Sequence, residues 1–184
     1  MKIIDFHTHV YPDTIALKAA NSIREFYSLG NETMDGSVKM LLEKGAAAGT
    51  WRYVILPVAV RPENTRHINN FILEQLTKHP EFLGFGTIHA ETENLMEEVD
   101  HIQKNGLRGI KMHPDFQVFA LDDPRLFPMY EQIQGKLPIM LHIGDRRYDY
   151  SHRGQVCQDT FCGFSKFKYL SAEKSPNISC LHIS

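Results

Sequence analysis

Ile3-Ile4-Asp5-Phe6-His7-Thr8-His9 is a short apolar run that holds one carboxylate and ends in two histidines one residue apart. In an extended strand, residues i and i+2 share a face, so this spacing sets two imidazoles side by side at the strand's end. Adjacent imidazoles suit zinc, copper, iron or nickel. A catalytic zinc usually takes three protein ligands and keeps a further position for water, so His7 and His9 need partners from elsewhere in the chain. Two surface histidines at a strand end would read the same in isolation. The downstream pattern decides between the two.

Pro12 and Asp13 mark a turn and helix start, and Ile15, Ala19, Ile23 and Phe26 recur at helical spacing up to Gly30. Residues 31–36 are polar and turn-rich, 38–44 read as a second helix, and Gly45 is expected to stop it. So long an excursion before the next strand is unusual for a plain βα unit, and a lid over a ligand is its expected use. Residues 53–60 form a nearly continuous apolar run, the pattern of a parallel strand buried on both faces. Pro62 and Glu63 open a helix that keeps the 3.6 period through Ile68, Phe71, Ile72 and Leu76 until His79-Pro80. Further strands are expected over 82–89, 107–113 and 137–143, with helices from Leu95 to Asn105-Gly106 and over 124–134. Gly84 and Gly86 mark close packing or a bulge in the third strand.

Strands and helices alternating every thirty residues or so are the signature of successive right-handed βαβ units. A doubly wound sheet would usually carry a glycine-rich phosphate turn after its first strand, and His7-Thr8-His9-Val10-Tyr11-Pro12 stands in that place instead. In a (β/α)8 barrel the functional groups come from the C-terminal ends of several strands, and His7, His9, His89, His113 and His142 fall on those ends. The expected fold is therefore α/β and (β/α)8 TIM-barrel-like. A complete barrel takes about 250 residues, so a chain of 184 is expected to hold about five or six βα units of an incomplete one.

A net charge of −2 offers no basic excess for nucleic acid, and no apolar run approaches the roughly 20 residues that span a bilayer. Neither nucleic acid nor membrane is an expected partner. The N-terminus lacks the pattern of a secretory signal, so the expected address is cytoplasmic. Cys157, Cys162 and Cys180 are odd in number, clustered late and without repeated spacing, which points to neither a disulfide framework nor a zinc ribbon.

Four motifs in order carry a resemblance: Asp5-Phe6-His7-Thr8-His9, then Gly109-Ile110-Lys111-Met112-His113-Pro114 with Gln117, then Asp122-Asp123-Pro124, then Leu141-His142-Ile143-Gly144. Together they resemble the amidohydrolase-related family of metal-dependent hydrolases and decarboxylases, over residues 1–150. The resemblance implies a distorted (β/α)8 barrel with one divalent metal, usually zinc. Its ligands would be the first-strand His-x-His, a fifth-strand histidine and an aspartate ending the eighth strand. A histidine ending the sixth strand in an Ala-His-x-Gly-Gly pattern would help activate the water.

Carried onto this chain, the resemblance makes His7, His9 and His142 metal ligands and gives Lys111 and His113 catalytic positions on the fourth strand. In binuclear relatives a fourth-strand lysine is carboxylated and bridges two metals. At a mononuclear site Lys111 and His113 would contact an anionic substrate or orient the pocket. Arg146 and Arg147 are expected to bind a substrate carboxylate, His89 to line the pocket or serve the structure, and Asp5 to orient its neighbours. His67, His79 and His101 are expected on the surface.

Residues 151–184 read as a divergent tail. The family's sixth strand is not visible there, and His182 lacks the glycine pair that would follow the sixth-strand histidine. Permitted codons for residues 154–171, read one nucleotide out of frame, can encode a sequence like the family's sixth helix, so truncation or a frame shift after residue 151 is expected. The expected function is a metal-dependent hydrolase that uses a metal-activated water on a small carbonyl- or carboxylate-containing substrate. A zinc-dependent decarboxylase, a carbon–carbon lyase of the same family, is the alternative. An inactive truncated barrel is the reading from another class, and a TatD-like nuclease shares only the His-x-His. An open edge at 137–143 predicts a homo-oligomer or aggregation.

Overall fold

A computed structural model describes residues 2–28, 30 and 34–142. Among these residues six strands, all parallel to their neighbours, make two sheets: β1 (Ile3–Thr8), β2 (Thr50–Ile55) and β3 (Phe82–Gly84) in one, β4 (Gly86–Thr87), β5 (Ile110–Met112) and β6 (Ile139–Leu141) in the other. Phe85 joins them. Its N–H donates to Ile55 O at 3.0 Å, and the next N–H, of Gly86, donates to Gly109 O at 2.9 Å. Residues 82–87 thus pair with β2 by their first half and with β5 by their second, so the sequence-expected third strand is one run interrupted at Phe85.

Helices fill the connections: α1 (Ala16–Tyr27) and α2 (Val38–Ala48) between β1 and β2, α3 (Thr65–Lys78) after β2, α4 (Leu95–Lys104) after β4, then α5 (Pro114–Gln117) and α6 (Phe127–Ile133) between β5 and β6. Alternate residues of the β2 run go to different cores. Tyr53 and Ile55 join Ile72, Phe82, Val99, Ile102 and Ile110 beneath the helices, whereas Val54 and Leu56 meet Phe85 and Met140 on the other face. Burial on both faces is what the unbroken apolar pattern predicts, and each such Ile or Leu contributes about 1.5–3 kcal/mol by leaving water. Gly84 and Gly86 let α3 and α4 lie directly on the sheet, since a Cβ at either would stand 2.7 Å from Ile72 or Ile102.

Several boundaries differ from the sequence reading. α2 runs through Gly45 to Ala48 and is closed by Gly49 in the left-handed region, φ 79°. Gly45 is there for space: a Cβ would collide with the Tyr53 ring. β2 spans 50–55 rather than 53–60, because Leu56 N–H still reaches Thr8 O at 2.8 Å and Pro57 then has no N–H to give. The helix after Pro12 starts at Ala16. Among the described residues β1 and β6 each pair on one side, and no helix is long and apolar enough to cross a membrane.

The four-residue α5, too short to show a period, was not legible in the sequence. Pro114 opens it, and His113 Nδ1 accepts the Phe116 N–H at 3.3 Å. It ends on Val118 at φ 52°, a costly conformation for a β-branched residue. Gln117 holds it there. The side chain, 2% exposed, accepts the His113 N–H on Oε1 at 2.8 Å and donates from Nε2 to Ala59 O at 2.9 Å and Ile88 O at 2.7 Å. One amide thereby ties the ends of three successive strand segments. Gln117→Ala leaves those three backbone groups unpaired and is expected to lower unfolding free energy by about 2–3 kcal/mol, read by urea denaturation.

Candidate functional site

The C-terminal ends of β1, β5 and β6 open onto a cavity of about 510 Å³. Its polar lining consists of His7, His9, Lys111, His113 and His142, with Tyr11, Tyr27 and Ser22; its apolar walls are α1 (Ala19, Ile23, Phe26), Val58, Val60 and Phe116. The apolar stripe of α1 that the sequence shows is thus a wall of this cavity, as the lid expectation requires. Among the described residues no carboxylate lines it.

His7 and His9 project at the end of β1 with ring centroids 5.0 Å apart, the side-by-side placement the spacing predicts. Asp5 accepts the His7 backbone N–H at 3.1 Å, where the register of β1 on β2 shifts between Asp5 and Thr8. His9 Nδ1 donates to Leu56 O at 2.6 Å. That bond fixes the tautomer and leaves Nε2 with a lone pair. Burial brings His9 down to about 3, with the neighbouring His7 and Lys111 adding to the fall, and lowers His7 as well. Both shifts favour the neutral ring.

The other pair behaves differently. His113 and His142 stack at 4.0 Å and 9°, and Phe116 stacks on the far side of His113 at 4.0 Å and 8°. Burial, reinforced by His142 and Lys111, brings His113 down to about 2. His142 stands one residue past β6, where its N–H donates to Met112 O at 3.1 Å and prolongs the ladder. Between the rings sits a hydroxyl from α1: Tyr27 Oη is 3.2 Å from His113 Nε2 and 3.3 Å from His142 Nε2.

Lys111 lies between the two pairs in sequence and charge. It is 1% exposed, and among the described residues its Nζ has no hydrogen-bond partner. Burial brings it down from 10.5 to about 8, so at neutral pH it is still largely an ammonium without a counter-charge.

Five of the residues singled out from the sequence thus meet at one cavity. Arg146 and Arg147 lie outside the described residues, as do the three cysteines and His182. His89 does not line the cavity; it is 5% exposed and accepts the Glu91 N–H on Nδ1, a structural role. Tyr27, Tyr11 and Phe116 are additions from the structure. Tyr27 could have been found, since it stands four residues after Ile23 on the apolar stripe and is an aromatic with a polar tip.

The donor chemistry suits a divalent ion, but the arrangement does not. Among the described residues no three His, Cys, Asp or Glu side chains are grouped to hold a metal. The imidazoles are split into one edge-on pair and one stacked pair.

The amidohydrolase family model matches residues 4–170. Among solved structures, the chain is similar to a probable 2-pyrone-4,6-dicarboxylic acid hydrolase of Acinetobacter baumannii, solved with citric acid bound. The identity is 16% and the TM-score 0.51, over 77% of this chain and 49% of that one. At that identity the likeness is one of fold, and this chain spans about half the length of its neighbour. No curated protein matches the chain.

Proposed function

Because the chain belongs to the amidohydrolase family, we propose that it is a hydrolase for a small carboxylate-bearing substrate, built on a (β/α)8-barrel-like fold. Five successive parallel strand segments with helices between them, and histidines at their C-terminal ends, support the barrel reading.

The observation that carries the substrate class is the buried Lys111 ammonium, which among the described residues has no hydrogen-bond partner and shares its cavity with no carboxylate. A buried cation without a partner is costly, and a carboxylate brought within 4 Å recovers about 4 kcal/mol at an effective dielectric of 20. Lys111 then anchors the anionic end of the substrate. The aromatic wall of Phe26, Tyr27 and Phe116 receives its planar or apolar body and excludes water. The neutral rings of His7 and His9 offer nitrogen lone pairs that accept hydrogen bonds from a water or a polar group of the substrate. The family generally uses divalent metals; His7, His9 and His142 are the side chains that would have to hold such an ion, and it would supply polarisation of a carbonyl and a more acidic water.

Calorimetry with benzoate and with benzamide tests the substrate class. Benzoate is expected to bind the wild-type chain and to lose about 100-fold in affinity in Lys111→Met, with benzamide indifferent to the change. Equal binding of the two ligands would sink the carboxylate reading. Hydrolysis is tested by turnover of a panel of carboxylate-bearing lactones and esters, expected in the wild type and lost in His142→Ala. Carbon dioxide release without hydrolysis would favour the decarboxylase, and carboxylate binding without turnover the non-catalytic reading.

A further inference from the structure

Four imidazoles line one cavity, yet among the described residues no three of them group around a metal. One hydroxyl accounts for the split. His113 accepts the Phe116 N–H on Nδ1, so the proton of its neutral ring is on Nε2, directed at Tyr27 Oη 3.2 Å away. The hydroxyl's own hydrogen is left to serve His142 Nε2 at 3.3 Å. Tyr27 therefore fastens the second imidazole pair to itself, edge to edge through one oxygen, while the stack with Phe116 holds the rings face to face. His142 is thereby engaged on its Nε2.

The element that delivers Tyr27 is built to yield. α1 has no side-chain N-cap, and Ala16 is its one fully buried residue. Tyr27 is its last residue, followed by Ser28 at φ 51° in a left-handed cap. Moving the tip of such a helix gives up little buried surface.

We propose that Tyr27 is a positioning residue that locks His142 onto His113, and that its hydroxyl must be displaced before His142 can join His7 and His9 on a common ligand. The metal part of this inference rests on the hydrolase reading; the lock on His142 does not.

Tyr27→Phe removes only the hydroxyl and keeps the ring against Phe26 and Phe116, at 4.9 and 6.1 Å. Two readouts separate the two parts. In the metal-free chain, diethyl pyrocarbonate modification of His142, followed by peptide mass spectrometry, is expected to be about 10-fold faster in Tyr27→Phe, the effect of one lost hydrogen bond. An unchanged rate overturns the lock. In a cobalt(II) titration followed by visible absorption, Tyr27→Phe is expected to bind about 10-fold more tightly than wild type, with the signal lost in His142→Ala. Equal affinity in both overturns the claim that the hydroxyl must leave. Faster modification with cobalt bound by neither chain upholds the lock and overturns the metal part of the hydrolase reading instead.

Discussion

Replacing Lys111 by methionine is expected to stabilise the chain at pH 7 by about 2–3 kcal/mol, while costing it the carboxylate affinity described above. Methionine matches the length of the lysine stem and adds no charge to a site that is 1% exposed. A lysine brought from 10.5 to about 8 by burial is one whose charged form the fold disfavours. Between those values the unfolded chain holds a proton that the folded chain has released. Wild-type stability should therefore rise from pH 8 towards 10, and the rise should be absent in Lys111→Met. Urea unfolding at pH 7, 8 and 9 reads the difference. The window closes near pH 10, where Tyr11, raised to about 12 by burial, starts to act with the opposite sign. A variant no more stable than wild type would mean that the ammonium has a partner and is not held ready for a ligand.

The acid limb of the same curve belongs to the histidines. His9 and His113 stay neutral in the fold down to about 3 and about 2, whereas the unfolded chain takes up protons near 6.5. Stability from these groups is complete above pH 6.5 and is lost as pH falls. With both protons taken up on unfolding, the loss approaches about 2.7 kcal/mol per pH unit around pH 5.

The other large effect is expected at Asn69, which does not line the cavity. Asn69 is fully buried on α3 and makes three hydrogen bonds: Nδ2 donates to Thr87 O at 3.0 Å and to Glu98 Oε1 at 2.7 Å, and Oδ1 accepts the Thr87 N–H at 2.8 Å. Glu98, on α4 and 3% exposed, is paired on its other oxygen with Arg66. Thr87 Oγ1 in turn accepts the Ala59 N–H at 3.1 Å. One amide thus joins α3, α4 and β4, and the network reaches the residues after β2. Asn69→Leu strands two backbone groups and half of a buried carboxylate, with an expected loss of about 4 kcal/mol in urea unfolding. The double variant Asn69→Leu with Glu98→Leu should recover part of that loss, because the orphaned carboxylate leaves with its donor. Strict additivity of the two changes would contradict the coupling.

The C-terminal ends of the strands show what can be read locally. His-x-His at the end of an apolar run, the both-faces-buried run around Val54 and Ile55, and the glycines of the third strand were legible in the sequence. Each depends on period and side-chain size, which neighbours in the chain already express. Phe85 as the joint between two sheets was not legible, since nothing in Gly84-Phe85-Gly86 says which carbonyls its N–H groups will meet.

Strand and helix alternation, parallel pairing, and the histidines that end strands were determined by the sequence alone, because periodicity and chain direction are local properties. Tertiary structure alone decided what those histidines do. It brought Tyr27 from α1 across 86 residues of chain to His113 and 115 to His142, spanned the strand ends with Gln117, and buried the Lys111 ammonium with no hydrogen-bond partner among the described residues. Hydrogen bonds and desolvation are set by which groups meet in space, and separation along the chain carries no record of that.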